Sequence, residues 1–337
     1  MSETMDAQLP LVDLSTLAPG AEGRQRELEM LRLAARRFGF FRVGGHAVPA
    51  ALDAALMAQA RELFALPQAD KQAIAMTGSP HFRGYAAAGA ELTRGRADWR
   101  EQLDLGREEL ARARDPQAPP ASRLHGPNQW PAGLPAFRAV VLDWQRAIEQ
   151  VLLQVLQACA EALGQPREAF QPLYRDAPWL TMKLIRYPGR GEGEDDQGVG
   201  AHKDGELLSL ILQDGVGGLQ VRTEQGHWLD ASPSPGSYVV NIGEQLELAS
   251  DGYLKAAVHR VRSPPAGRER LSAAVFLGAQ LDSTIPALVL PPSLASEATG
   301  YTRDPGNPLL RDVGANTLKG RLRSHPDVAA LHHPDLL

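Results

Sequence analysis

Apolar positions along the chain follow two different rhythms. Residues 22–37 carry Leu28, Leu31, Leu33 and Ala34 among charges at helical steps, and Gly39 ends that stretch. A second helix is expected from Ala50 to about Phe64. The longest runs over 134–163, where Phe137, Val141, Trp144, Ile148, Leu152, Val155, Cys159 and Leu163 recur every three or four residues. From Trp179 onward the texture changes to short apolar runs cut by Gly, Pro and Asp. Strands are predicted at 182–187, 207–212, 218–222, 228–229, 237–242, 256–261 and 271–277, in addition to short ones at 9–14 and 40–43. Short strands at such close spacing predict a closed or sandwiched antiparallel fold, so the chain is expected to be mainly β with flanking α-helices. Residues 78–130, rich in Gly, Pro, Arg and Asp, read as loops laid over the scaffold. A short helix is expected near 313–324.

Length and composition narrow the class. At 337 residues the chain can hold one main domain with helical additions, and 43% hydrophobic against 22% charged residues is enough apolar material for a sizeable core. Four segments are expected: an N-terminal helical and loop region at 1–130, a support helix at 131–178, a β core at 179–285 and a tail at 286–337 that serves as a lid. A formal charge of −5 supplies no basic field for phosphate backbones, which argues against nucleic acid as a partner. The first residues lack the basic and apolar regions of a secretory leader, and no run of about 18 apolar residues occurs, so a cytoplasmic protein without membrane contact is expected. Cys159, the single cysteine, forms no internal disulfide and reads as a small core residue.

The chemistry concentrates in His202-Lys203-Asp204 and His259. Two side chains one residue apart on a strand point to the same face, so His202 and Asp204 can meet one metal, and the third ligand must come from another strand of the same barrel. Two imidazoles and one carboxylate are the ligand set of a facial non-haem iron site with three positions left open, although zinc or manganese also suits such a set. His227, His332 and His333 have no partner at ligand spacing. Gly215, Gly217 and Gly218 lack the strand and helix of a dinucleotide cradle, and no nucleophile elbow is present.

Around these residues the chain resembles the isopenicillin-N-synthase-like group of iron(II)- and 2-oxoglutarate-dependent dioxygenases. The resemblance is carried by Leu9-Pro10-Leu11-Val12-Asp13-Leu14, Gly39-Phe40-Phe41-Arg42-Val43 with His46, Phe82-Arg83-Gly84-Tyr85, Leu184-Ile185-Arg186-Tyr187-Pro188, the stretch from Leu212 to Val221, Val240-Asn241-Ile242-Gly243-Glu244, and Arg270-Leu271-Ser272 eleven residues after His259. It implies a double-stranded β-helix, the jelly-roll or cupin-like core. It also implies an iron(II) site on His202, Asp204 and His259, with 2-oxoglutarate and O2 as co-substrates and ascorbate as a stimulant. Arg270 and Ser272 are implied to grip the distal carboxylate of 2-oxoglutarate, since a guanidinium fork pairs with a carboxylate through two hydrogen bonds. Tyr187 would add a third bond, Asn241 would brace the site, and Phe276, on the same face of its strand as Arg270 and Ser272, would wall the co-substrate pocket. Phe82, Arg83 and Tyr85 are the candidates for substrate contact. The group usually has a small or hydroxyl residue where this chain has Lys203, which is expected to point away from the metal toward solvent or the substrate entrance.

The implied reaction decarboxylates 2-oxoglutarate to succinate and carbon dioxide while oxidising a small organic molecule, with hydroxylation as the default outcome. Two alternatives stand beside it: an iron-dependent oxidase of the same fold that uses no 2-oxoglutarate, and a non-catalytic jelly-roll binding protein. The chain is expected to work as a monomer or homodimer.

Overall fold

In the computed structural model, which describes residues 8–112, 115, 117–175 and 177–337, two β-sheets face each other and helices cover the outer face of the larger one. The strands in the N-terminal part are β1 (Leu11–Asp13), β2 (Phe40–Gly44), β3 (Gly84–Ala86), β4 (Leu92–Thr93), β5 (Arg96–Ala97) and β6 (Glu101–Gly106). The remainder are β7 (Trp179–Pro188), β8 (Gln197–His202), β9 (Leu208–Gln213), β10 (Leu219–Arg222), β11 (Trp228–Asp230), β12 (Tyr238–Ile242), β13 (His259–Arg262) and β14 (Glu269–Gly278). The larger sheet has the order β1-β2-β12-β9-β14-β7-β6-β3 and the smaller β11-β10-β13-β8. Every neighbouring pair is antiparallel except β1 with β2. This is the sandwiched, mainly antiparallel fold that the strand pattern predicts and the jelly roll that the family resemblance implies.

Period-two alternation sorts each strand of the larger sheet between two cores. On β14, Leu271, Ala273, Val275 and Leu277 join the core under the helices, and on β7 Leu180, Met182 and Leu184 do the same. The opposite face of these strands looks into the space between the sheets, where Ile185, Tyr187, Val199, Val221, Val239 and Ala274 form a second, smaller core. Arg270, Ser272 and Phe276 belong to that inner face.

The helices are α1 (Arg24–Arg37), α2 (Ala50–Ala65), α3 (Gln68–Gln72), α4 (Phe137–Ala162), α5 (Glu244–Ala249), α6 (Pro292–Ala295), α7 (Val313–Ser324) and α8 (Pro326–His332). The three long periodic segments and the one near 313–324 fall where the spacing places them. Asp53 of α2 joins the helical layer to the sheet, accepting from the indole nitrogen of Trp144 on α4 at 2.7 Å and from the Tyr238 hydroxyl of β12 at 2.8 and 2.9 Å. Cys159 is buried in α4, and burial pushes its thiol up to about 12, so it is an inert core residue.

The segment 78–130 departs from expectation. It is not only loops, because β6 is a wholly buried strand that extends the larger sheet beside β7. Its inner face carries Gln102 and Asp104 where apolar residues would mark a strand, and this masks the alternation with Leu103 and Leu105. Helices α5 and α8 are likewise absent from the sequence reading. Among the described residues no helix is long and apolar enough to cross a membrane.

Asp53→Ala would strand two buried donors, each costing about 1–3 kcal/mol. The variant is expected to lose about 2–4 kcal/mol of stability by denaturant unfolding, and an unchanged midpoint would show that Asp53 does not link these layers.

Candidate metal centre and co-substrate site

Two cross-strand pairs, one in each sheet, build the centre. In the smaller sheet His259, first residue of β13, lies directly opposite His202, last residue of β8, with ring centroids 4.2 Å apart. In the larger sheet Asn241 of β12 lies directly opposite Ser209 of β9. Asp204 sits between the pairs. Its Oδ1 is 3.5 Å from Nε2 of His202 and 3.6 Å from Nε2 of His259, while its Oδ2 accepts from the Ser209 hydroxyl at 2.6 Å and from the Asn241 amide at 2.9 Å. The three ligand atoms lie within 4.8 Å of one another.

Each imidazole is oriented through its other nitrogen. Nδ1 of His202 donates to the Gly200 carbonyl at 2.8 Å and Nδ1 of His259 to the Ala257 carbonyl at 3.2 Å, which fixes the tautomer that leaves Nε2 as the lone-pair donor. Burial and the neighbouring His202 push the His259 imidazole down to about 4, so it is neutral near pH 7. Burial opposes ionisation of Asp204, but His259, His202 and the Ser209 hydroxyl outweigh it and hold the carboxyl well below the usual carboxylate range. Burial disfavours the charged His202 imidazole, but Asp204 outweighs it and raises its pKa, so a bound metal would take the place of that proton; two imidazole nitrogens and one carboxylate oxygen converge on a common point, and the donor set fits a divalent transition metal.

Asp204 does not share a strand with His202 as the spacing suggests. Strand β8 ends at His202, and Asp204 occupies the turn that follows, where its carbonyl accepts from the Glu244 amide at 2.8 Å. Lys203 therefore does not simply face solvent: its ammonium pairs with Glu247 of α5 at 3.1 Å, and Glu247 also accepts from Thr302 at 3.2 Å.

Arg270 lies at the other end of the inner face, 1% exposed. Nη2 donates to Gln213 at 2.9 Å, Nη1 to the Ser272 hydroxyl at 3.2 Å, and the guanidinium carbon stands 4.9 Å from the centroid of the Tyr187 ring. Gly198 leaves room for that ring, because a Cβ there would come within 2.8 Å of it. Among the described residues Arg270 has no carboxylate in ion-pair range and its Nε has no partner. Phe276 is opposite Ser209 and Thr181, between the Arg270 end and the metal end.

The Phe82-Arg83-Gly84-Tyr85 residues separate. Phe82 is fully buried, stacked on His333 with centroids 5.3 Å apart. Tyr85 donates to Glu101 at 2.6 Å in a network with Lys71 and Arg186 outside the barrel, remote from the inner face. Arg83 alone reaches the inner side, over Gly106 and Trp179. Sequence reasoning missed Ser209, whose one signal is a lone hydroxyl in an apolar strand, and Gln213, which braces Arg270.

Comparison with known proteins agrees with this geometry. Residues 178–279 match the 2OG-Fe(II) oxygenase superfamily, and residues 9–133 match the family described as non-haem dioxygenase in morphine synthesis N-terminal. The chain belongs to the 2OG-Fe(II) oxygenase superfamily. This oxygenase is 33% identical to the 2-oxoglutarate-dependent dioxygenase frbJ of a Dothideomycetidae species over 98% of its own length and 93% of the relative's. A homoarginine-6-hydroxylase of Glycine max is 31% identical over 84% of this chain and 88% of that one. Among solved structures, a 2OG-Fe(II) oxygenase family protein of Caulobacter crescentus superposes with a TM-score of 0.75 at 30% identity, covering 94% of this chain and 99% of that one. The oxygenase is thus an iron(II)- and 2-oxoglutarate-dependent dioxygenase, and O2 is its oxidant.

Two substitutions test the centre. Asp204→Ala is expected to abolish stoichiometric iron(II) binding, read by metal analysis after anaerobic desalting. Ser209→Ala should weaken iron(II) affinity by about 10-fold or more, the usual effect of losing a group that orients a ligand. Retention of full affinity in Ser209→Ala would mean that its hydrogen bond does not shape the site.

Proposed function

We propose that the oxygenase holds iron(II) on His202, Asp204 and His259, grips the distal carboxylate of 2-oxoglutarate with Arg270 and Ser272, and hydroxylates a small polar molecule. The observation that carries this reading is Arg270: a buried guanidinium with no ion-pair partner among the described residues, on the same inner face as the ligand triad and braced by Ser272 and Gln213. A buried charge without a counter-charge is costly, and a carboxylate bound there removes the cost.

Iron(II), when bound, supplies the redox chemistry that activates O2 and drives oxidative decarboxylation of 2-oxoglutarate. The protein's residues do the positioning. Ser209 and Asn241 fix one carboxylate oxygen of Asp204 so that the other faces the imidazoles, and the Gly200 and Ala257 carbonyls hold both rings in the donating tautomer. The Tyr187 ring under the Arg270 guanidinium and the Phe276 ring along the inner face screen the co-substrate from bulk water. A cytoplasmic site of action belongs to the same proposal. It is supported by a fold whose single cysteine is buried and unpaired, as a reducing compartment allows.

Anaerobic addition of iron(II) and then 2-oxoglutarate is expected to raise the weak visible charge-transfer band of a chelated 2-oxo acid, and bound iron without that band would refute the co-substrate assignment. Arg270→Ala should raise the 2-oxoglutarate concentration at half-maximal succinate formation by about 10- to 100-fold, the worth of a charge-assisted hydrogen-bond pair. Superposable saturation curves would remove Arg270 from its role.

A further inference from the structure

The metal end of the inner face carries polar groups that neither iron nor 2-oxoglutarate accounts for. Buried polar atoms without a hydrogen-bond partner gather there: Nε and Nη2 of Arg83, Oε1 of Gln102, Nε1 of Trp179, Oγ1 of Thr181 and Nε2 of His325. They come from β6, β7, the segment before β3 and the end of α7, elements far apart in sequence that meet at this place. Such atoms are rare in native proteins because each costs about 1–3 kcal/mol when unpaired, so their concentration marks a place where a polar molecule binds.

The charges say what kind of molecule. Lys183 and Arg100 are paired with Glu91 at 3.0 and 2.5 Å, Arg321 of α7 with Asp104 at 3.1 Å, and Lys203 with Glu247. Beside them, Arg83 has no ion-pair partner among the described residues. It is 1% exposed, its guanidinium carbon stands 5.3 Å from the Trp179 ring centroid, and its one hydrogen bond is to the Leu105 carbonyl at 3.4 Å. No carboxylate of the described residues lies within ion-pair range of it. Gly106 is what leaves space for the guanidinium, since a Cβ there would fall 2.1 Å from Nη2.

On the anionic side Glu206 is the counterpart. It lies two residues past Asp204, with its stem beside Trp179 over Gly278, and among the described residues its carboxylate has no ion-pair partner, only its own backbone N–H.

We propose that the primary substrate is a small zwitterion of amino-acid type, its carboxylate seated on Arg83 and its cationic nitrogen group facing Glu206. The proposal rests on the oxygenase reading above. A carboxylate suits Arg83 because a planar guanidinium fork pairs with it through two parallel hydrogen bonds. The Trp179 indole lies between the two groups, with the Arg83 guanidinium over its ring and the Glu206 stem beside it.

Calorimetric titration of the oxygenase loaded anaerobically with iron(II) and 2-oxoglutarate tests this, with L-arginine, L-lysine and L-norleucine as probes beside L-arginine methyl ester and L-lysine methyl ester. At least one of the basic amino acids is expected to bind, with its methyl ester about tenfold or more weaker, the cost of a lost charge-assisted bond. Arg83→Gln should weaken the free acid by a similar factor and leave the ester unaffected. Glu206→Gln should weaken the basic amino acid relative to L-norleucine. Esters binding as tightly as the acids, or no response to any probe, would overturn the proposal, and the ester comparison needs no variant to fold. The charge-transfer band of the wild-type protein before titration separates the outcomes: its absence condemns the co-substrate reading, whereas its presence with no probe bound condemns the zwitterion alone.

Discussion

Asp204 divides its carboxylate between two tasks, and the rest of the site depends on that division. One oxygen is fixed by Ser209 and Asn241, which are cross-strand partners in the larger sheet, and the other is turned toward His202 and His259, which are cross-strand partners in the smaller sheet. Two registers must therefore both be correct before the ligand atoms converge. A one-residue slip in either pair would turn its side chains to the opposite face and leave Asp204 with half of its partners. The antiparallel jelly roll is suited to this requirement because each register is held along a whole strand by alternating burial, Leu208 and Leu210 against the helices on one side and Ser209 and Ile211 between the sheets on the other.

The inner face then works as a graded surface. Toward one end, Tyr187, Ile185 and Ala274 make an apolar wall around Arg270, whose guanidinium hydrogen-bonds to the neutral Ser272 and Gln213. Toward the metal end the wall becomes ionic, with Glu91, Asp104, Lys183 and Arg100 in interlocking pairs. Charges in mutual contact inside a protein resist rearrangement, since parting any pair leaves a buried ion uncompensated at a cost of about 3–5 kcal/mol. A stiff ionic rim and a few unsatisfied groups are a suitable frame for choosing one polar molecule among many. The apolar end suits a co-substrate common to the whole superfamily.

What the sequence made legible follows the same physics. Helices α1, α2, α4 and α7 were visible because one face of each is buried and the other solvated, and the strands from β7 to β14 because they alternate around an apolar core. Strand β6 was not, since its inner residues Gln102 and Asp104 face the ionic rim, and a strand built to hold a ligand loses the alternation that reveals strands. The ligand triad was legible as spacing alone, yet its reason was not. The spacing suggested His202 and Asp204 side by side on a strand, whereas the Asp204-Gly205 turn carries the carboxylate off β8 and places it between the sheets. Arg270 was legible through its motif with Ser272, but Gln213 and Ser209, which support the site from a strand that reads as purely apolar, needed the register to be known.

Lys203 shows how far the C-terminal tail is bound to the metal motif. Glu247 of α5 is 1% exposed, and its two oxygens are taken by the Lys203 ammonium and the Thr302 hydroxyl. A small residue at position 203 would leave that carboxylate buried without a cation, so the departure from the usual residue between the ligands and the presence of an acid at 247 make sense only together. The pair joins the loop that carries Asp204 to α5, and Thr302 adds the tail, while Arg321 reaches from α7 to Asp104. The polypeptide from residue 300 onward is therefore held by the same carboxylates that line the metal end.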